Sequence, residues 1–239
     1  EVSLIYHLRW YIFFVISLNM NQDMLLLQQG ARLLDIELDD EQIALFDLYQ
    51  NELLKWNATT NLISEKTASE IVTRHFLDSL SAAKFITNPN ARLMDLGCGA
   101  GFPGIPLKIA MPSIQLYLLE TNRKKVSFLK HIIRTLNLDQ TQTLHDRTEN
   151  IVQAETWKEK FDIVISRAAF KLPDLLTLGQ YFLAPDGLLI TLKGQDVSSE
   201  LDTALADRNV SKVYQLYQYD INMTLLGPPR KIIIFQKTK

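Results

Sequence analysis

The chain has 239 residues, 47% of them hydrophobic and 22% charged, which suits one α/β domain with an appendage and an ordinary packed core. A formal net charge of −2 excludes a global positive field, so any contact with nucleic acid must come from a local basic patch. The one cysteine, Cys98, excludes an internal disulfide and a cysteine-cluster metal site, and it fits a reducing compartment.

Residues 10–18 form an apolar run behind Arg9 that is too short to cross a bilayer as a helix, and no small-residue cleavage site follows it. Residues 1–23 are read as a non-native or mis-started extension, with translation beginning at Met20 or Met24. The alternative is a segment that packs on the domain or on a partner. Residues 24–90 then read as a helical cap. Leu26, Leu27, Leu33 and Leu34 mark a first segment, weakened by Gly30. Asp39, Asp40 and Glu41 open a second helix whose apolar face holds Ile43, Phe46, Leu48, Leu53 and Leu54. The periodicity breaks over 56–62, which reads as a loop. Thr67 to Glu70 has capping-box form and opens a helix running to about Phe85, before Asn88, Pro89 and Asn90 end it.

Residues 91–239 form the second unit, organised around Asp95-Leu96-Gly97-Cys98-Gly99-Ala100-Gly101-Phe102-Pro103-Gly104. A short apolar strand, 93–96, breaks into four glycines within eight positions, and a helix pattern follows over 105–110. Glycines after a strand let the backbone turn sharply and approach a ligand, and the helix start points free N–H groups into the turn. Gly99 to Gly104 fits the dinucleotide pattern GxGxxG. Asp95 with Gly97, Gly99 and Gly101 fits the pattern of S-adenosylmethionine (SAM) enzymes. Asp95 favours the second: a carboxylate at the strand end can face the cationic methionine half of SAM, whereas it repels a pyrophosphate. A plain turn that binds nothing is the bland alternative.

Strands at 114–120, 141–145, 161–166 and 188–192 alternate with helices at 122–136, 149–158, 172–182 and 198–208, and Ala184-Pro185-Asp186-Gly187 ends the third of these helices. Strands at 213–221 and 231–237, joined through Gly227-Pro228-Pro229, have no helix between them. The alternation predicts a doubly wound, mainly parallel seven-stranded sheet with an antiparallel hairpin at one edge, the Rossmann-like arrangement of class I SAM-dependent methyltransferases.

Several residues can carry chemistry at the strand ends. Glu120 can accept from both ribose hydroxyls of an adenosine ligand, which NAD and SAM share, or it is a solvated strand-end acid. Asp146, Thr148 and Glu149 fall where an adenine would lie, or they form a helix cap. Arg167, after Ser166, ends the fourth strand and can contact a ligand or hold a substrate phosphate. Lys193, before Gly194 and Gln195, can reach the same crevice. The helix over 122–136 carries Arg123, Lys124, Lys125, Lys130 and Arg134 with no acid, a face for RNA phosphates or a merely solvated one. Arg74, His75 and Lys108 add further cations. Trp56 can stack on a base if exposed, or pack in the core. The scattered histidines, His7, His75, His131 and His145, suggest no metal site.

Taken together, these segments resemble the bacterial 16S rRNA (guanine-N7) methyltransferase family, also called RsmG or GidB. The likeness rests on Lys55-Trp56-Asn57 with Asn61-Leu62; Arg74-His75-Phe76-Leu77-Asp78-Ser79; the glycine turn with its Phe102-Pro103-Gly104; Lys124-Lys125 with Phe128-Leu129; Ser166-Arg167-Ala168; and Leu192-Lys193-Gly194. It begins at about Met24 and leaves residues 1–23 without a counterpart. It implies a cytoplasmic monomer that binds SAM through Gly97, Phe102, Thr148, Glu149 and Arg167, with Cys98 where Ser or Thr is usual. The implied substrate is one guanine in 16S rRNA, free or in the 30S subunit, with no metal and no membrane. Guanine N7 has an in-plane lone pair and no proton, so its attack on the methyl needs no general base. The rivals are an NAD(P)-dependent oxidoreductase, a non-catalytic SAM- or RNA-binding module, and methylation of a small molecule or protein.

Overall fold

The computed structural model describes residues 21–64, 70–153, 155–194, 196–207, 210–221 and 229–238. The apolar run at 10–18, the capping box expected at 67–70 apart from its Glu70, Gln195, Arg208 and the Gly227-Pro228 connector lie outside the described residues.

Three helical pieces precede the sheet. Helix α1 (Gln22–Arg32) is capped by Asn21, and α2 (Asp40–Thr60) by Asp39 in a reciprocal capping box with Gln42. The third piece, α3, is a π-helical stretch (Val72–Leu77) running straight into Asp78–Leu80. Residues 56–60, expected in a loop, instead extend α2 to Thr60. The helix survives its β-branched end because Trp56 packs on Phe128 and His131, with ring centroids 5.6 and 5.2 Å away. Asn61 then closes it in the left-handed conformation, φ +49°. The segment to Phe85 also differs from expectation: the regular helix stops at Leu80, and a 3₁₀ turn covers Ala83–Phe85.

The sheet follows with β1 (Arg92–Leu96), α4 (Gly104–Ala110), β2 (Gln115–Leu119), α5 (Arg123–Thr135), β3 (Thr141–Leu144), α6 (Thr148–Gln153) and β4 (Phe161–Arg167). Then come α7 (Leu172–Phe182), β5 (Leu183–Gly194), α8 (Ser198–Leu205), α9 (Val210–Val213), β6 (Tyr214–Ile221) and β7 (Arg230–Lys237). The seven strands lie in the order β3-β2-β1-β4-β5-β7-β6. Strands β1 to β5 pair in parallel, and β7 runs antiparallel to both neighbours. This bears out the doubly wound, seven-stranded methyltransferase sheet, with one refinement. The crossover from β5 to β6 leaves a slot, and β7 fills it, so the reversed strand is interior and β6 forms the edge. Two boundaries also shift. The α6 helix is shorter than the expected 149–158. Residues 183–187 belong to β5 rather than to a turn, and the β4–β5 register shifts between Phe161 and Ile163 to absorb them.

Alternate side chains of the central strands feed two apolar layers, the reason those strands read as continuous apolar runs. Leu93, Leu116, Ile163 and Ile190 face the cap together with α4 and α5. Met94, Tyr117, Val164 and Leu189 face α7 and α8. The cap is thus fused to one face of the sheet and shares its core. Gln42 strengthens the join by donating to the last carbonyls of α4, Ile109 O at 2.9 Å and Ala110 O at 3.1 Å. Lys108 is buried against the loop that follows α4 and is not available to RNA. It is 2% exposed and donates to Pro112 O and Ile114 O.

Candidate active site

The β1–α4 turn owes its shape to three left-handed glycines, Gly97 (φ +68°), Gly99 (φ +60°) and Gly101 (φ +102°). The N–H groups of Gly97 and Cys98 donate to Leu119 O, which ties the turn to the end of β2. From the cap, the buried Tyr49 hydroxyl donates to Ala100 O at 2.6 Å and braces the turn from behind. Above the turn opens a cavity of about 780 Å³. Its walls come from the glycine turn, the ends of β2, β3 and β4, and cap residues Leu62 and Ile63.

Glu120 stands at the rim, 8% exposed. Its Oε2 accepts from Gly99 N–H at 3.0 Å, and its Oε1 from the N–H groups of Thr121 and Asn122 at 2.8 Å each. Asp146, Thr148 and Glu149 line the far end of the cavity, beyond β3. Gly97, Gly99, Phe102 and Arg167 line it as well. Of the residues expected around the cofactor, Asp95 and Gly101 are the two that do not. Asp95 is fully buried beneath the turn, where its Oδ2 accepts from Gly104 N–H at 2.7 Å, and burial pushes its carboxyl up to about 7. Its work here is to hold the start of α4.

Arg167 is the most heavily engaged residue of the site. Its Nη1 donates to Arg74 O (2.9 Å) and to Asp78 Oδ2 (3.1 Å), its Nη2 to His75 Nδ1 (2.8 Å), and its guanidinium lies 5.0 Å from the Phe102 ring centre. The His75 ring stacks on the same Phe102 at 4.7 Å. Burial first, then the charges of Arg167, Arg230 and Arg74, push His75 down to about 3, so the ring is neutral and offers no charge to RNA. Arg74 pairs with Glu70 at 2.7 Å.

Arg167, His75 and Ala168 also form one wall of a second, smaller cavity of about 320 Å³, completed by Asp78, Lys193 and Arg230. Lys193 reaches it from the end of β5 while bonding Phe170 O (3.1 Å) and both oxygens of Glu200 (3.0 Å). Tyr49 and Arg230 were not picked out by sequence reasoning, and Asp78 stood there only as a motif residue that could act as an acid or base. Tyr49 shows only as one more apolar position on a helix. The roles of Asp78 and Arg230, paired at 3.4 Å, appear only when the cap meets the start of β7.

The basic helix divides. Arg123, Lys124, Lys130 and Arg134 are exposed, but Lys125 turns inward and lines the large cavity. Among the described residues, no group of three or more His, Cys, Asp or Glu side chains is placed to hold a metal ion.

The rRNA small subunit methyltransferase G family model, GidB, matches residues 42–225. The chain belongs to that family. The small subunit methyltransferase G of Syntrophus aciditrophicus is 40% identical over 217 residues, which is 89% of each chain. Among solved structures the fold is similar to a predicted O-methyltransferase, Atu636 of Agrobacterium tumefaciens, with a TM-score of 0.57 and 18% identity over 68% of this chain and 81% of that one. It is likewise similar to TYW2 of M. jannaschii in complex with AdoMet, with a TM-score of 0.51 and 18% identity over 67% and 75% of the two chains. The protein is an rRNA methyltransferase, and SAM is its methyl donor. The cavity suits that donor: a Cβ on Gly97 would fall 2.5 Å from Ala169 Cβ, so the bare backbone there lets the segment after β4 close against the turn and form the cavity wall.

Proposed function

We propose that the enzyme transfers the methyl group of SAM to N7 of a guanine in 16S rRNA, acting in the cytoplasm as a monomer on free rRNA or the 30S subunit. When bound, SAM supplies a methyl carbon made electrophilic by the adjacent sulfonium. The observation that carries the choice of a proton-free acceptor is the state of the ionisable groups between the two cavities. Among the described residues of the wall that the two cavities share, the ionisable side chains are already engaged by neighbours. His75 is held neutral with its Nδ1 occupied, and Asp78 is shared between Arg167 and Arg230. Guanine N7 carries no proton, so such a site suffices. An amine or hydroxyl acceptor must shed one.

The residues then act by placement. Gly97, Gly99, Phe102, Glu120, Thr148 and Glu149 would hold the cofactor along the large cavity, with Asp95 and Gly101 shaping the turn from beneath. Arg167 and Lys193 would position the acceptor nucleotide from the second cavity. Holding two reactants in line for attack can supply several kcal/mol of barrier lowering, about 7–11 at best. The exposed cations Arg123, Lys124 and Arg134 would grip the RNA backbone without choosing the base, and Arg74, beside the second cavity, would join them.

Mapping modified bases in 16S rRNA from cells lacking the gene, then restoring the gene, tests the proposal. Loss and return of a single N7-methylguanine is expected. A missing methyl on a base amine or a ribose would overturn the choice of acceptor.

A further inference from the structure

Three cations line the large cavity: Arg147, in the segment after β3 with Asp146 and Thr148, and Arg167 and Lys125. They are in different states. Arg167 spends its Nη groups on Arg74 O, Asp78 and His75, and its face lies over Phe102. Lys125 projects from the first turn of α5. Its backbone N–H is bonded to the Asn122 cap, but its Nζ has no hydrogen bond or ion pair among the described residues. That Nζ lies 3.9 Å from the point where a Cβ on Gly99 would sit, and no other described atom beyond the neighbouring residues Cys98 and Ala100 comes within 4 Å of it. Lys125 is half-buried, while Arg123 and Lys124 beside it are exposed.

An ammonium group can only donate, and it is matched by an anion. SAM carries one anionic group, the carboxylate of its methionine half. Its ribose hydroxyls call for acceptors, which Glu120 at the rim and Asp146 and Glu149 at the far end offer. We infer that Lys125 is a cofactor-binding residue whose Nζ pairs with the α-carboxylate of SAM, and that it is not part of the RNA-gripping face of α5. The inference rests on the cofactor assignment and is independent of which base is methylated.

Two product-like ligands that differ by that carboxylate alone make the test: S-adenosylhomocysteine (SAH) and decarboxylated SAH. Their Kd values are measured by calorimetry on the full chain, unmodified and as Lys125→Met. A charge-assisted pair of this kind predicts that Lys125→Met weakens SAH about ten- to hundredfold and decarboxylated SAH little. Lys125→Arg should restore most of the preference. Equal weakening of both ligands would overturn the pairing, since it would show Lys125 acting on the shape of the turn. So would unchanged binding of both ligands with a loss of RNA affinity, which would return Lys125 to the RNA face. Failure of the unmodified enzyme to bind SAH is a separate failure, that of the cofactor assignment, and it overturns the role of Lys125 with it.

Discussion

Gly97 and Asp95 stand two positions apart and carry opposite constraints. At Gly97 the backbone is left-handed, and a side chain would collide with Ala169 and the Phe170 ring. Gly97→Ala is expected to cost about 1–2 kcal/mol from the backbone alone, with a further loss from the clash. SAH affinity should fall with it. Denaturant titration and calorimetry on the same sample check both. Asp95 carries a charge problem instead. Burial raises its folded pKa to about 7 from the ordinary 3.8, against the lowering effect of the Gly104 N–H. The folded protein therefore holds a proton that the unfolded chain releases at lower pH. Its contribution to stability is fully present below about pH 4 and is lost as the pH rises through about 7. Asp95→Asn keeps an acceptor for Gly104 N–H and should lack this component. Unfolding free energies measured from pH 4 to 8 should fall more steeply for the native chain than for the variant; parallel curves would remove Asp95 from the titration.

The elements show where periodicity informs and where it fails. The buried strands were legible because a strand covered on both faces has no polar side to interrupt it. The end of α2 was not, since Trp56-Asn57-Ala58-Thr59-Thr60 has weak helix propensity, and it is the contact with Phe128 and His131 that keeps it helical. Composition showed that α5 is basic, but it could not show that its first turn presents Lys125 to a cavity and Lys124 to solvent. Neutralising Arg123, Lys124, Lys130 and Arg134 together should lower the slope of log affinity for rRNA against log salt by up to about 3, given about 0.7–0.9 per phosphate contact. Filter binding across a salt series reads this directly. An unchanged slope would leave that face merely solvated.

Across the molecule, Asp78 joins parts that lie far apart in the chain. It belongs to the cap, yet it balances Arg167 at the end of β4 and Arg230 at the start of β7. Asp78→Asn leaves two partly buried guanidinium groups without a counter-charge. Because Arg167 and Arg230 keep some contact with water, the cost should fall below that of a fully buried pair, at about 2 kcal/mol. For a chain of this size that corresponds to a drop in Tm of about 4–8 °C, which a thermal melt will show. The seven strands, their winding and the glycine turn were all readable from local pattern. The slot taken by β7 and the three-way ion pair were not, because they exist only once distant segments are folded against one another.

The divide formed by His75, Arg167 and Ala168 is one residue layer thick, with a cavity on either side. A bisubstrate inhibitor, with an adenosine head tethered to an anionic arm, would have to cross that divide. Its tether would pass His75 and Arg167 into the second cavity, lined also by Asp78, Lys193 and Arg230, which a mimic confined to the first does not enter. Selectivity against other enzymes that use the same donor would therefore reside in the tether, and the head group could remain generic.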